Sequence, residues 1–169
     1  MQNISRYIRL RWPALLSALF CIVTQAAAFS GDKDVYLQFP VLGKVIYYDG
    51  ATVKAGDYNA PGVHQWTLVD DEDGNENTWK ISNETVYLKA NGTKLETTTD
   101  ASAATVFTFT SLTYLGLTPD RYEISCNSTK YLHVLEDGTL TLSTTHYPDE
   151  QNQNGYPYTI LRLTQDLQG

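Results

Sequence analysis

The sequence predicts an all-β fold, a β-trefoil of three four-stranded units, with a β-sandwich or small antiparallel barrel as the alternative. Three observations carry that expectation. Short runs rich in Thr, Tyr, Val, Ile and Phe alternate apolar and polar residues with the period of two that a half-buried strand imposes. Turn pairs separate the runs, at Asp49-Gly50, Asp73-Gly74, Asn91-Gly92 and Asp137-Gly138, where glycine supplies the positive φ of a tight hairpin. The pattern also recurs three times, as it does in architectures whose units cannot each bury their own apolar face. No stretch after Ser30 keeps the i, i+3, i+4, i+7 spacing of an amphipathic helix for three turns.

Taken in chain order, residues 1–28 stand apart. Arg6, Arg9 and Arg11 form a basic start, Ala14–Val23 is a short apolar stretch, and Ala26-Ala27-Ala28 offers small residues for cleavage. That is the pattern of a secretory signal peptide, and the apolar stretch is short for a membrane span of about 20 residues. Phe20 before Cys21 is too bulky for a lipid-attachment site. Cleavage after Ala28 is expected, giving a secreted chain, extracellular or at a bacterial periplasm or cell surface, with no membrane insertion.

The first unit, about residues 34–72, contains Val35-Tyr36-Leu37, Val45-Ile46, the Asp49-Gly50 turn, Val53 and Trp66-Thr67-Leu68. The second, about 78–112, contains Trp79-Lys80-Ile81-Ser82, Val86-Tyr87-Leu88, the Asn91-Gly92 turn, Leu95 and Phe107-Thr108-Phe109. The third, about 121–164, contains Tyr122-Glu123-Ile124-Ser125, Lys130–Val134, the Asp137-Gly138 turn, Leu140 and Tyr158-Thr159-Ile160. Trp66, Phe107 and Tyr158 align as the closing positions, and an insert, His146–Tyr156, lengthens the third unit. Residues 29–169 therefore read as one domain.

Charge and cysteine content narrow the function. The 169 residues carry 12 Lys plus Arg against 19 Asp plus Glu, a formal charge of −7, which becomes −10 over 141 residues once the basic signal is removed. Nucleic-acid and anionic-membrane binders need basic surface, so both are disfavoured. Hydrophobic residues at 42% and charged residues at 18% describe a globular chain. Cys126 is the one cysteine left after cleavage, so an internal disulfide is impossible and a buried, inert thiol is expected.

On the repeats quoted above, residues 34–164 resemble the ricin-B-like β-trefoil family, whose units carry a Tyr-Leu or Cys-Leu strand, a Gly turn and a Gln-x-Trp closing strand. The resemblance implies shallow carbohydrate sites, one per unit, in which an aromatic ring stacks on the sugar and Asp with Asn or Gln fixes its hydroxyls. The chain departs from the family in having His64, Thr105 and Tyr156 where the closing Gln is expected, and in lacking the paired cysteines.

Applied to this chain, the resemblance points to the loops before the closing strands of units one and three. Unit one offers Asp57, Tyr58, Asn59 and His64; unit three offers His146, Tyr147, Asp149, Asn152, Asn154 and Tyr156. A carbohydrate or glycoprotein surface is the expected partner. The competing structural role is that Tyr58 and Tyr147 cap the barrel while Asp and Asn form turns.

Other chemistries find less support. The acidic run Asp70–Glu76 lacks the Gly and Glu spacing of a helix–loop–helix calcium site. His64, His133 and His146 lie in separate segments with no metal-binding spacing, and no Gly-x-Ser-x-Gly turn is present. No catalytic residue, metal or cofactor is assigned, and a monomer is expected. Asn83, Asn91 and Asn127 match the glycosylation acceptor pattern. The alternatives to a lectin-like module are a protein-binding trefoil such as a protease inhibitor, disfavoured in its trypsin-directed form by the lack of Lys or Arg from Pro148 to Tyr158, and a structural surface protein without a small ligand.

Overall fold

The computed structural model describes residues 33–71, 75–112, 121–146 and 157–167. The expected signal segment, the Asp73-Gly74 turn, and Tyr147, Asp149, Asn152, Asn154 and Tyr156 lie outside the described residues.

The described residues form twelve strands: β1 (Lys33–Phe39), β2 (Lys44–Tyr48), β3 (Val53–Gly56), β4 (Trp66–Asp70), β5 (Thr78–Ser82), β6 (Tyr87–Asn91), β7 (Lys94–Thr98), β8 (Val106–Ser111), β9 (Arg121–Cys126), β10 (Lys130–Val134), β11 (Leu140–Ser143) and β12 (Leu161–Thr164). Short 3-10 turns occupy Ala101–Ala103 and Pro157–Thr159. Every pairing is antiparallel, and the pairings close on themselves. One circuit runs β1–β4–β5–β8–β9–β12 and back to β1. A longer closed barrel of nine strands detours from β5 through β6, β7, β11 and β10 to β9. Closure removes the long exposed edges that invite aggregation. The hairpins β2–β3, β6–β7 and β10–β11 pack at one end.

The strand registers show how the three stretches of sequence fill one core. In the barrel wall, Val35 faces Trp66, Trp79 faces Phe107, and Tyr122 faces Leu161. In the hairpins, Ile46, Leu88 and Leu132 occupy matching positions opposite Ala55, Thr97 and Leu142. Leu37, Ile81 and Ile124 form another fully buried set, and so do Ile46, Leu88 and Leu132. Each of these side chains contributes about 1.5–3 kcal/mol by leaving water. Trp66 is fully buried, and its indole Nε1 donates to the Ile46 carbonyl at 2.9 Å, tying the wall to the first hairpin.

These registers correct the repeat alignment in two places. The third closing position is Leu161, not Tyr158, because the run Tyr158–Leu163 buries the Thr159, Leu161 and Leu163 phase and leaves Tyr158, Ile160 and Arg162 half-exposed. Both phases carry apolar residues, so alternation could not say which one faces in, and a one-residue choice flips the whole strand. Val35-Tyr36-Leu37 is likewise a wall strand equivalent to Trp79–Ile81, and the partner of the Tyr87-Leu88 strand in the first unit is Val45-Ile46.

Candidate functional site

Where β1, β4 and the β5–β6 turn meet on the outside of the wall, a cleft of about 450 Å³ opens between Asp34, His64, Gln65, Thr67, Asn83, Glu84 and Thr85. Its floor follows from strand alternation. Asp34 and Thr67 are register partners on β1 and β4, their neighbours Val35, Trp66 and Leu68 point into the core, and so both face outward. The Thr67 hydroxyl donates to Asp34 Oδ1 at 2.7 Å.

The walls are fixed by short-range hydrogen bonds. Asn83 Oδ1 accepts from the Thr85 and Val86 amides, both at 2.9 Å, and from the Thr85 hydroxyl at 3.0 Å. This is an Asx turn, the local conformation that Asn favours because its side chain mimics a backbone carbonyl. The Asn83 amide nitrogen donates to His64 Nε2 at 2.9 Å, while His64 Nδ1 contacts the Gly62 carbonyl. The carbonyl accepts only a proton, so Nδ1 carries it and Nε2 is the acceptor. Behind the imidazole lies Trp66, with ring centroids 5.6 Å apart at 37°. Gln65 Nε2 donates to the Gln165 carbonyl at 2.9 Å and holds the rim to the segment after β12.

The cleft therefore presents two carboxylates, four hydroxyl or amide groups and one imidazole edge, all but Glu84 held by a named partner. Such an array exchanges hydrogen bonds with a ligand that both donates and accepts at several closely spaced points. It has no excess of cations for an anionic ligand.

Of the residues expected to bind ligand, His64 lines this cleft. Asp57, Tyr58 and Asn59 do not. Asp57 and Asn59 are exposed in the turn after β3, which the Ala60 amide closes on the Asp57 carbonyl at 3.0 Å. Tyr58 is half-buried, and its hydroxyl accepts a hydrogen bond from the buried Gln38 amide on β1. The turn thus fastens Tyr58 to the barrel end. Asp34, Thr67 and Glu84 were not legible as site residues, because what unites them is adjacency across β1, β4 and β5. Asn83 was visible only as a glycosylation pattern, although Asn-x-Thr before an apolar residue also signals the Asx turn observed.

On the third unit, His146 lies in a different setting. Its ring stacks on Tyr131, with centroids 4.3 Å apart at 13°, and Nδ1 sits 3.4 Å from Oε2 of Glu123. Glu123 is 3% exposed and accepts from the buried Thr159 hydroxyl at 2.9 Å. His133, on β10, is half-buried with its ring 6.1 Å from Tyr158, and burial lowers its pKa. Cys126 is buried as a free thiol, and burial raises its pKa.

No protein-family model and no curated protein sequence matches the chain. Solved structures do. SeviL bound to asialo-GM1 saccharide superimposes with a TM-score of 0.57 at 13% identity, over 80% of this chain and 97% of that one. A proteinase inhibitor from Coprinopsis cinerea superimposes with a TM-score of 0.63 at 11% identity, over 82% of this chain and 100% of that one. At these identities the likeness is one of fold.

Proposed function

We propose that the chain is a secreted, non-catalytic β-trefoil binding module of ricin-B-like kind that holds carbohydrate in the Asp34–His64–Asn83 cleft. The observation that carries this reading is the fixed polar array itself. A sugar offers adjacent hydroxyls, each both donor and acceptor, and the cleft offers the Asp34 and Glu84 carboxylates beside the Thr67 and Thr85 hydroxyls, with the His64 ring at one side. Preorganised polar groups of this kind give orientation without the entropic cost of ordering them on binding. The saccharide-bound neighbour of the same fold supports the choice of ligand class.

The expected signal at residues 1–28 supports export, and the acidity of the rest favours neutral or cationic glycans over sialylated or sulfated ones. Retention on a glycan array tests the site. Asp34→Ala and His64→Ala should each reduce retention by about tenfold or more, the loss expected from one charge-assisted or well-fixed hydrogen bond. Unchanged retention in both variants would overturn the assignment of the cleft.

A second reading, a protein-binding trefoil that inhibits a proteinase, is favoured by the inhibitor of the same fold. A panel of serine and cysteine proteinases separates the two: stoichiometric inhibition that survives Asp34→Ala would establish the second and remove the first.

A further inference from the structure

The three hairpins meet around one axis, and their junctions are not alike. The Ala55 amide on β3 donates to the Gly138 carbonyl at 2.8 Å, closing the first hairpin on the third. The Leu142 amide on β11 donates to the Thr93 carbonyl at 2.8 Å, and the Thr141 hydroxyl reaches the same oxygen at 2.9 Å, closing the third on the second. The corresponding bond from β7 to the first hairpin's turn is not made among the described residues. The Asp49 amide donates to the Thr52 carbonyl, Asp49 Oδ1 accepts from the Ala51 and Thr52 amides, and the Tyr48 hydroxyl donates to the Gly50 carbonyl. None of these bonds reaches across to β7.

The open junction is a cleft of about 610 Å³ between β3 and β7, a size ordinary for small-ligand sites. Val53, Leu95 and Leu140 occupy equivalent hairpin positions, are each less than a tenth exposed, and line it with apolar surface. Lys54 and Lys94 stand on its walls. Glu96 also lines it, but both of its carboxylate oxygens accept from the Asn91 side-chain amide, at 3.0 and 3.2 Å. Lys54 pairs with Asp49 at 2.7 Å across exposed surface, a contact of small net worth. Lys54 and Lys94 are the cations among the lining residues and Glu96 is the carboxylate.

We propose that this axial cleft binds a small amphiphilic carboxylate, with its apolar body on Val53, Leu95 and Leu140 and its carboxylate between Lys54 and Lys94. The ligand would bridge β3 and β7 where the third inter-hairpin bond is missing. The site shares no residue with the Asp34–His64–Asn83 cleft and takes a ligand of opposite character.

Calorimetric titration of the full chain with octanoate, octanol and octylamine at neutral pH tests the assignment. Octanoate should bind at least about tenfold tighter than octanol, since a charge-assisted contact is worth about that ratio, and octylamine should bind more weakly still. Lys94→Ala should weaken octanoate by about tenfold, and Lys54→Ala with Lys94→Ala should bring it to the level of octanol. Thermal midpoints and glycan retention serve as fold controls for these surface changes. No octanoate binding at millimolar concentration, equal binding of octanoate and octylamine, or an undiminished affinity in the double variant would each overturn the proposal.

Discussion

Removing the Asn83 side chain should loosen the cleft and weaken the fold by separable amounts. In Asn83→Ala, the Thr85 and Val86 amides lose their acceptor, Asn83 Oδ1, and His64 Nε2 loses its donor. The Thr85 hydroxyl is exposed and recovers its bond from water. The two amides belong to a turn leading into Val86, which is 5% exposed, so their loss is felt at about 1 kcal/mol each, or about 2 kcal/mol together. For a chain of this length that corresponds to a fall of about 6 °C in the thermal midpoint. Asn83→Asp keeps the acceptor and puts a carboxylate in place of the donor to His64. It should unfold within about 0.5 kcal/mol of the parent chain, yet shift the His64 ring resonances and reduce glycan retention as Asn83→Ala does. Urea unfolding, histidine NMR and a glycan array read the three quantities. A parental midpoint in Asn83→Ala, or equal destabilisation by Asp and Ala, would refute the account of the turn.

Two further outcomes follow from the same structure. Gly138 has φ of +88°, and a Cβ there would come within 2.2 Å of the Ala55 carbonyl oxygen, so Gly138→Ala should cost about 2 kcal/mol or more in urea unfolding, whereas an equivalent change at Gly92, which has open space around it, should cost only its φ strain, about 1–2 kcal/mol. Stability should also fall with acid in two windows. Burial lowers the His133 pKa from 6.5, so the unfolded chain binds a proton that the folded chain resists, and stability declines as pH drops below about 6.5. Asp49, Asp100 and Asp137 are lowered from 3.8, chiefly by hydrogen bonds from Lys54, Ser102 and Thr139 respectively. Their contribution is present above that value and is lost as pH falls beneath it. Thermal midpoints measured from pH 8 to pH 2 check both, and His133→Gln should flatten the upper window alone.

What the chain determined locally is its strands and turns. The Val106–Phe109 and Thr139–Leu142 alternations fall on β8 and β11, with β11 beginning at Leu140, because a half-buried strand must alternate; Tyr122–Ser125 falls on β9, where Glu123 and Ser125 are buried as well. Asn91-Gly92 lies at the tip of a hairpin, as its dihedral freedom requires. A triplicate pattern was also legible, since three similar stretches must share one core. Tertiary structure decided the phase and the partners. Thr159, Leu161 and Leu163 point inward instead of Tyr158 and Ile160, because the position opposite Tyr122 is filled by Leu161. Asp34 meets Thr67 and His64 meets Asn83 across strands that are distant in sequence, and Tyr58 is drawn to Gln38 by a buried amide that needs an acceptor. Alternation specifies which residues share a face; only strand pairing specifies which faces meet, and the cleft is made where three of them do.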